Sequence, residues 1–406
     1  MRQDAERIIQ AALRAAMPDT AVKKALEGEN LGSGRLVTVA AGKAAWQMAR
    51  AARDQLGDRM DSGVVVTKYG HSRGPIPGLT ICEAGHPVPD ENSFLGTQAA
   101  MDAVSGLEEG DTVLFLLSGG GSALFEKPLI PGEDLTRLTR ELLACGADIV
   151  EMNTLRKRFS AVKAGRFAQL CSPARVVTVV LSDVLGDRLD MIASGPACAD
   201  RSTCEEAKAI AEKYHLTMTE QMRDLLNQET PKVLTNVSTH ITGSVRQLVA
   251  AAEAECRALG YTPIVLTDCL NCTASQAGAF LGSIARYHSG SSQPLAFLAG
   301  GETVVQVIGQ GLGGRNQELA LAAAQEIDGC RACVFSLGSD GTDGPTDAAG
   351  GIVDGDTAGK LRDLGIGIPE VLRENDAYHA LQKVGGLIMT GPTGTNVNDL
   401  SVALVR

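Results

Sequence analysis

The sequence predicts two α/β domains, the first on a mostly parallel sheet with helices on both faces and the second on a mixed sheet. Three observations carry this prediction. Short β-rich apolar runs alternate with helix-spaced stretches along the first half, the pattern of βαβ units. Glycine-rich turns stand where those apolar runs end. A length of 406 residues suits two domains, each able to bury its own core. Thr230-Pro231 marks the break, giving domains 1–232 and 233–406.

Taken in order, residues 1–18 read as an amphipathic helix with Asp4 and Glu6 near its start. Residues 35–40 form a β-rich run, 43–56 have helical spacing and 63–67 are strand-like. A Pro/Gly-rich stretch (74–89) precedes a helix at 93–107. Residues 111–117 are strongly strand-like, 134–150 helical, and 175–181 the clearest strand of all. A helical stretch at 204–228 leads to the break. Beyond it come strands near His240 and at 264–267, 295–298, 303–308, 332–337 and 386–390. The helices there are 245–259, 275–288 and 316–327.

Composition narrows the function. Only 3% of residues are aromatic against 46 glycines, so the cores must rest on Ala, Val, Leu and Ile. A net charge of −11 with no large Lys/Arg cluster argues against nucleic acid, which needs a basic face. No apolar run approaches membrane-spanning length, and the start lacks a signal-peptide pattern, so the cytoplasm is expected. The ten cysteines include the pairs Cys269/Cys272 and Cys330/Cys333, too far apart in sequence for a compact zinc site. They read as reduced, mostly buried thiols.

Five glycine-rich turns follow strand-like runs: Ala41-Gly42-Lys43, Ser118-Gly119-Gly120-Gly121-Ser122, Gly300-Gly301-Glu302-Thr303, the 338–344 turn and the 390–396 turn. Glycine lets backbone amides approach a ligand, and successive amides form concavities for anions. Three consecutive glycines between Ser118 and Ser122 favour phosphate over a plain strand-to-helix turn. Lys43 heads a helix, where a cation opposes the dipole unless an anion is shared with it. Its alternative is a side chain turned to solvent. In a parallel sheet all strand ends share one edge, so Lys43, the Ser118–Ser122 turn and Ser182-Asp183 should converge. Asp183 is a candidate to hold Mg²⁺, to orient a hydroxyl, to accept its proton, or simply to cap the next turn. Asp340, Asp343 and Asp347 repeat the theme, without the closing Glu of a calcium loop. A loop carboxylate serving a metal–nucleotide complex is the better reading, with Asp340 as the Mg²⁺ candidate.

Gly309-x-Gly311-x-x-Gly314 follows a strand-like run and opens a helix, the context of a dinucleotide fingerprint. It supports an alternative, an NAD(P)-dependent dehydrogenase. The polar cluster Arg315-Asn316-Gln317-Glu318 that follows is foreign to such a helix start. There is no Walker loop and no protein-kinase signature. The six histidines are scattered and read as structural or surface side chains rather than catalytic ones, although His86, in Gly85-His86-Pro87-Val88-Pro89-Asp90, could line a cleft.

Together these strings resemble the class II glycerate kinases, glycerate 2-kinases with a C-terminal MOFRL domain. The likeness rests on Ala40-Ala41-Gly42-Lys43-Ala44, the 85–90 string, Ser118-Gly119-Gly120-Gly121-Ser122-Ala123, Leu181-Ser182-Asp183-Val184 and Ile192-Ala193-Ser194-Gly195-Pro196. It continues through Gly300-Gly301-Glu302-Thr303, Gly313-Gly314-Arg315-Asn316-Gln317-Glu318, Asp340-Gly341-Thr342-Asp343-Gly344 and Gly391-Pro392-Thr393-Gly394-Thr395-Asn396. It departs at Ala164-Gly165, where the family tends to Gly-Gly, and at Cys272-Thr273-Ala274, where a family carboxylate is lost.

The resemblance implies a Rossmann-like, three-layer N-terminal domain and an α/β C-terminal domain containing the MOFRL region, about 295–406. It implies ATP-dependent, Mg²⁺-assisted phosphorylation of D-glycerate to 2-phosphoglycerate in an interdomain cleft, by a monomer or homodimer. Members of the family have also been labelled hydroxypyruvate reductases, which makes an NAD(P)-dependent reductase using the Gly309-Gly311-Gly314 turn the alternative. Lys43 and Arg315 match the family's lysine and arginine in that cleft. On this reading Ser118, Gly119, Gly120, Gly121 and Ser122 hold phosphates and Asp183 orients the attacking hydroxyl. Asp340 or Asp343 acts through Mg²⁺. Glu302, Asn316, Asp343, Thr395 and Asn396 face the substrate.

Overall fold

The computed structural model describes residues 1–186 and 188–406. Six apolar runs assemble the first sheet: β1 Leu36–Ala41, β2 Ser62–Lys68, β3 Leu79–Ala84, β4 Thr112–Leu117, β5 Arg175–Leu181 and β6 Val237–Gly243. Their order is β3-β2-β1-β4-β5-β6. β1 through β5 pair in parallel. β1 and β4 are buried along their whole length, as continuous Val/Leu/Ala runs covered on both faces require. Register places Ala41 opposite both Val66 and Leu117, so β1 and β4 end level. Chain order reverses at this β1/β4 boundary. In open α/β sheets that switch point is where ligands bind.

β6 corrects the reading of the His240 strand as part of the second sheet. Val176 N–H donates to Asn236 O and Ser182 N–H to Gly243 O, each at 2.7 Å, laying β6 along β5 in the same direction. The Thr230-Pro231 signal is a turn inside this layer: Thr230 Oγ1 donates to Asp200 and Asp200 N–H to Pro231 O. β3 was hidden in the Pro/Gly-rich stretch.

The second sheet comprises β7 Thr262–Leu270, β8 Leu295–Gly301, β9 Ala332–Gly338, β10 Gly350–Asp354, β11 Leu387–Ile388 and β12 Asp399–Val405, ordered β11-β10-β9-β12-β8-β7. β7 and β8 are parallel, whereas β12 runs antiparallel to both β8 and β9, so the sheet is mixed. The expected strand at 303–308 is a loop. Only Val304 makes a bridge, to Thr273, and Val307 and Ile308 are exposed. Beyond that bridge, no strand among the described residues pairs with its valines.

By contacts the chain divides into a mixed-sheet unit (Met1–Ala21, Ser182–Gly186, Gly243–Arg406) and a parallel-sheet unit formed by Val22–Leu181 and the stretch ending at Thr242. The opening helix Arg2–Ala15 thus belongs with the second sheet. Arg2 pairs with Asp354, and Asp4 accepts from the Tyr261 hydroxyl at 2.8 Å and pairs with Arg406. All ten cysteines are free thiols, and burial in β9 pushes Cys333 up to about 12.

Candidate functional site

In the parallel-sheet unit, the level ends of β1 and β4 bring two of the predicted turns together. Ser118 N–H donates to Ala41 O at 3.0 Å, Lys43 N–H to Gly119 O at 2.9 Å, and Ala44 N–H to Ser118 Oγ at 3.0 Å. Gly42, at φ +123, lies so close to Ser118 that a β-carbon there would stand 2.3 Å from its hydroxyl. Ser118 is therefore buried and occupied in tying the turns together. Gly119 and Gly121 are buried, while Lys43, Gly120 and Ser122 are partly exposed.

The turn is braced from beneath. Lys163, fully buried, donates from Nζ to Ser122 O at 2.9 Å and Phe125 O at 3.1 Å. Burial lowers its pKa, against the pull of the Glu126 carboxylate. The Ser122 hydroxyl lies 3.4 Å from that of Ser194. Gly121 packs on Ala193, leaving no room for a β-carbon. Further out, His71 Nδ1 donates to Lys43 O at 3.0 Å. The His86 ring lies against Gly120.

In the mixed-sheet unit the centre is Arg315, first residue of the helix Arg315–Glu326. Asp399, at the head of β12, takes Nε at 2.5 Å and Nη2 at 2.9 Å, and Glu302 takes Nη1 at 2.9 Å. A guanidinium has five N–H donors. These three bonds leave one N–H on each terminal nitrogen, a pair able to receive an oxyanion. The Asp399, Glu302 and Asp343 carboxylates hold Arg315 above its usual pKa despite burial.

Asp343 is buried and caps this helix, its Oδ1 accepting from Asn316 N–H at 3.1 Å and its Oδ2 from Gln317 N–H at 2.8 Å. Burial raises its pKa. Asn316 is buried too, accepting from the Ser336 hydroxyl. Asn398, left-handed at φ +66, donates from Nδ2 to Glu302 Oε2 and Asp183 O, both at 3.2 Å. The segment carrying Asp183 is thereby anchored beside the Arg315 network. Beside it opens a cavity of about 620 Å³ lined by Glu302, Thr303, Arg315, Glu318, Asp340 and Asp343 among others. Thr303 Oγ1, on the cavity wall, and Asn398 Oδ1 are buried without a hydrogen-bond partner among the described residues. Thr395 is buried with its hydroxyl donated to Ala16 O at 2.7 Å, and Asn396 Oδ1 accepts from Asn398 N–H at 3.4 Å. Both shape the loop that delivers Asn398 and Asp399.

Asp399 escaped the sequence reading because β12 did, although Asn398-Asp399 ahead of an apolar run was a legible signal. Burial pushes its carboxyl up to about 6, with the nearby Asp343 charge adding and Arg315 opposing. The unfolded carboxyl titrates near 3.8. Between these values the folded chain keeps a proton that the unfolded chain has lost. This group thus favours folding at low pH, and the contribution disappears as pH rises through about 6. Urea unfolding from pH 4 to 8 should show the stability gap between wild type and Asp399→Asn changing across that window and level above it. A gap constant with pH would refute the assignment.

The dinucleotide reading fails on geometry. Ile308 and Gly309 N–H both donate to Asn375 Oδ1 at 2.9 Å, Gly311 N–H to Glu374 O at 2.8 Å, and Leu312 N–H to Asp376 Oδ1 at 2.9 Å. Amides that would hold a pyrophosphate are spent on residues 374–376. β-carbons on Gly309 and Gly311 would collide with the same segment, which explains both glycines.

Comparison with known proteins assigns the family. A domain of unknown function, DUF4147, matches residues 4–227, and the MOFRL family matches residues 295–399. The chain is 51% identical to the D-glycerate 2-kinase of Thermotoga maritima, over 98% of this chain and 97% of that one. It is 41% identical to the glycerate 2-kinase of Pyrococcus horikoshii, over 100% and 97%. Two Agrobacterium vitis relatives, each 39% identical, carry hydroxypyruvate reductase as a provisional name. The crystal structure of a Thermotoga maritima glycerate kinase superposes with a TM-score of 0.96, covering 100% of this chain and 99% of that one. With both domain families in order and such likeness from end to end, the chain belongs to the glycerate 2-kinases with a C-terminal MOFRL domain.

Proposed function

We propose that this chain transfers the γ-phosphoryl group of ATP to the 2-hydroxyl of D-glycerate. One observation carries the reading: Lys43 is bonded through its backbone to the Gly119 turn at the sheet's switch point, joining a cation and a glycine turn in one candidate anion site. Phosphoryl transfer asks a protein chiefly for positioning and charge stabilisation. Lys43 and the Gly119–Gly121 backbone supply these to the phosphates, and the two remaining N–H groups of Arg315 receive a second oxyanion. Asp183 orients the attacking hydroxyl, its segment held by Asn398.

A resident metal does not fit: among the described residues no group of three or more His, Cys, Asp or Glu is placed to hold one. Mg²⁺ instead enters as part of the nucleotide substrate, which needs only one or two protein carboxylates. Asp340 suits this, partly exposed on the cavity wall with its Oδ1 fixed by Thr342 N–H at 3.0 Å. No helix among the described residues is long and apolar enough to cross a membrane. The proposal is of a cytoplasmic enzyme, monomeric or homodimeric.

The test pairs two assays. ADP should appear only when ATP and D-glycerate are both present, with ³¹P NMR identifying 2-phosphoglycerate. NADH should persist when hydroxypyruvate is added. ADP release indifferent to glycerate, or NADH oxidation, would overturn the reading.

A further inference from the structure

One further polar side chain packs beside the Lys43 turn. His86 follows β3, and its imidazole edge is packed on Gly120. A β-carbon added to Gly120 would stand 3.0 Å from His86 Cδ2, 3.1 Å from its Nε2 and 3.2 Å from Lys43 Cγ. The ring and the lysine stem therefore flank the same glycine, with the Nε2 edge toward the turn. Gly120 is also left-handed, at φ +85, so glycine is demanded there twice. The neighbourhood is basic. Burial first, then the charges of Lys43, Lys68 and His71, lower the His86 pKa, and no protein hydrogen bond contributes to its shift. A neutral imidazole carries one N–H donor and one bare nitrogen. Packed among cations with no hydrogen-bond partner among the described residues, it is a donor held ready for an anion.

We propose that His86 is a ligand-contacting residue of the phosphoryl-transfer site, donating Nε2–H to an oxyanion held between Lys43 and the Gly119–Gly121 turn. The inference rests on the kinase reading and adds a residue to its anion site. A neutral donor orients the oxygen without adding a further full charge beside Lys43 and Lys68. Binding is thus directional, and release of the product nucleotide is not slowed by another cation.

Calorimetry with MgADP and, separately, with D-glycerate tests this on wild type, His86→Ala and His86→Gln. One probe should bind His86→Ala about ten-fold more weakly than wild type, and the amide N–H of His86→Gln should recover most of the loss. All three melting temperatures should agree within a few degrees. In the wild-type chain, saturation with that probe should move the His86 ring ¹⁵N resonances, a readout that needs no variant. Equal affinities for both probes in His86→Ala, no recovery in His86→Gln, or unmoved ring resonances would each overturn the proposal. Normal glycerate turnover with unchanged affinities in His86→Ala would remove His86 alone. Absence of turnover in wild type would instead remove the kinase reading, while the calorimetry still judged His86.

Discussion

Lys43→Ala should lower kcat by about three orders of magnitude and leave the melting temperature within a few degrees of wild type. The asymmetry follows from what holds the turn. Its anchors are backbone groups, with Gly42 N–H on Val66 O at 3.1 Å and Lys43 N–H on Gly119 O at 2.9 Å, and these survive truncation of the side chain. The side chain with its ammonium is lost, and on the proposed role the value of that ammonium lies in charge that develops during transfer, so kcat should fall more than KM rises. Lys43→Arg should restore part of the rate, because a planar fork does not reproduce a compact point charge. Steady-state ADP release and a thermal melt check both halves. Activity within ten-fold of wild type would remove Lys43 from the mechanism.

Arg315→Ala should abolish activity and also destabilise the protein, by about 3–5 kcal/mol at neutral pH. Asp399 is only 6% exposed, and without Arg315 its carboxylate is left in a low-dielectric site beside Asp343. Such a group escapes by taking a proton. Because its folded pKa already lies well above the unfolded value, the deficit should shrink as pH falls below about 6 and grow above it. Adding Asp399→Asn should recover much of the stability at pH 8 and none of the turnover. Urea midpoints at pH 5 and 8, read beside kcat, separate the two effects. An active double variant would show Arg315 to be structural only.

The legible part of the site is the part made by neighbours in sequence. A strand that ends in Gly42-Lys43, and another that ends in Ser118-Gly119-Gly120-Gly121, announce their turns locally, and parallel topology obliges those turns to meet. The Arg315 network is different, since its members come from the turn after β8, from a helix start and from β12. Thr395 and Asn396 read as substrate-facing from their motif. In the fold their side chains tie down the loop that presents Asn398 and Asp399. The 303–308 stretch is rich in β-branched residues as a strand should be, yet that propensity cannot say whether a partner strand exists.

Strand propensity, turn chemistry and helical periodicity are properties of short windows, so the chain's own residues determined the α/β class, most elements and the Lys43 and glycine turns. Three matters were decided only by packing: the opening helix joining the second sheet, β6 the first, and Asp399 reaching Arg315. Each depends on which distant surfaces bury one another or cancel a charge, and no local window carries that quantity.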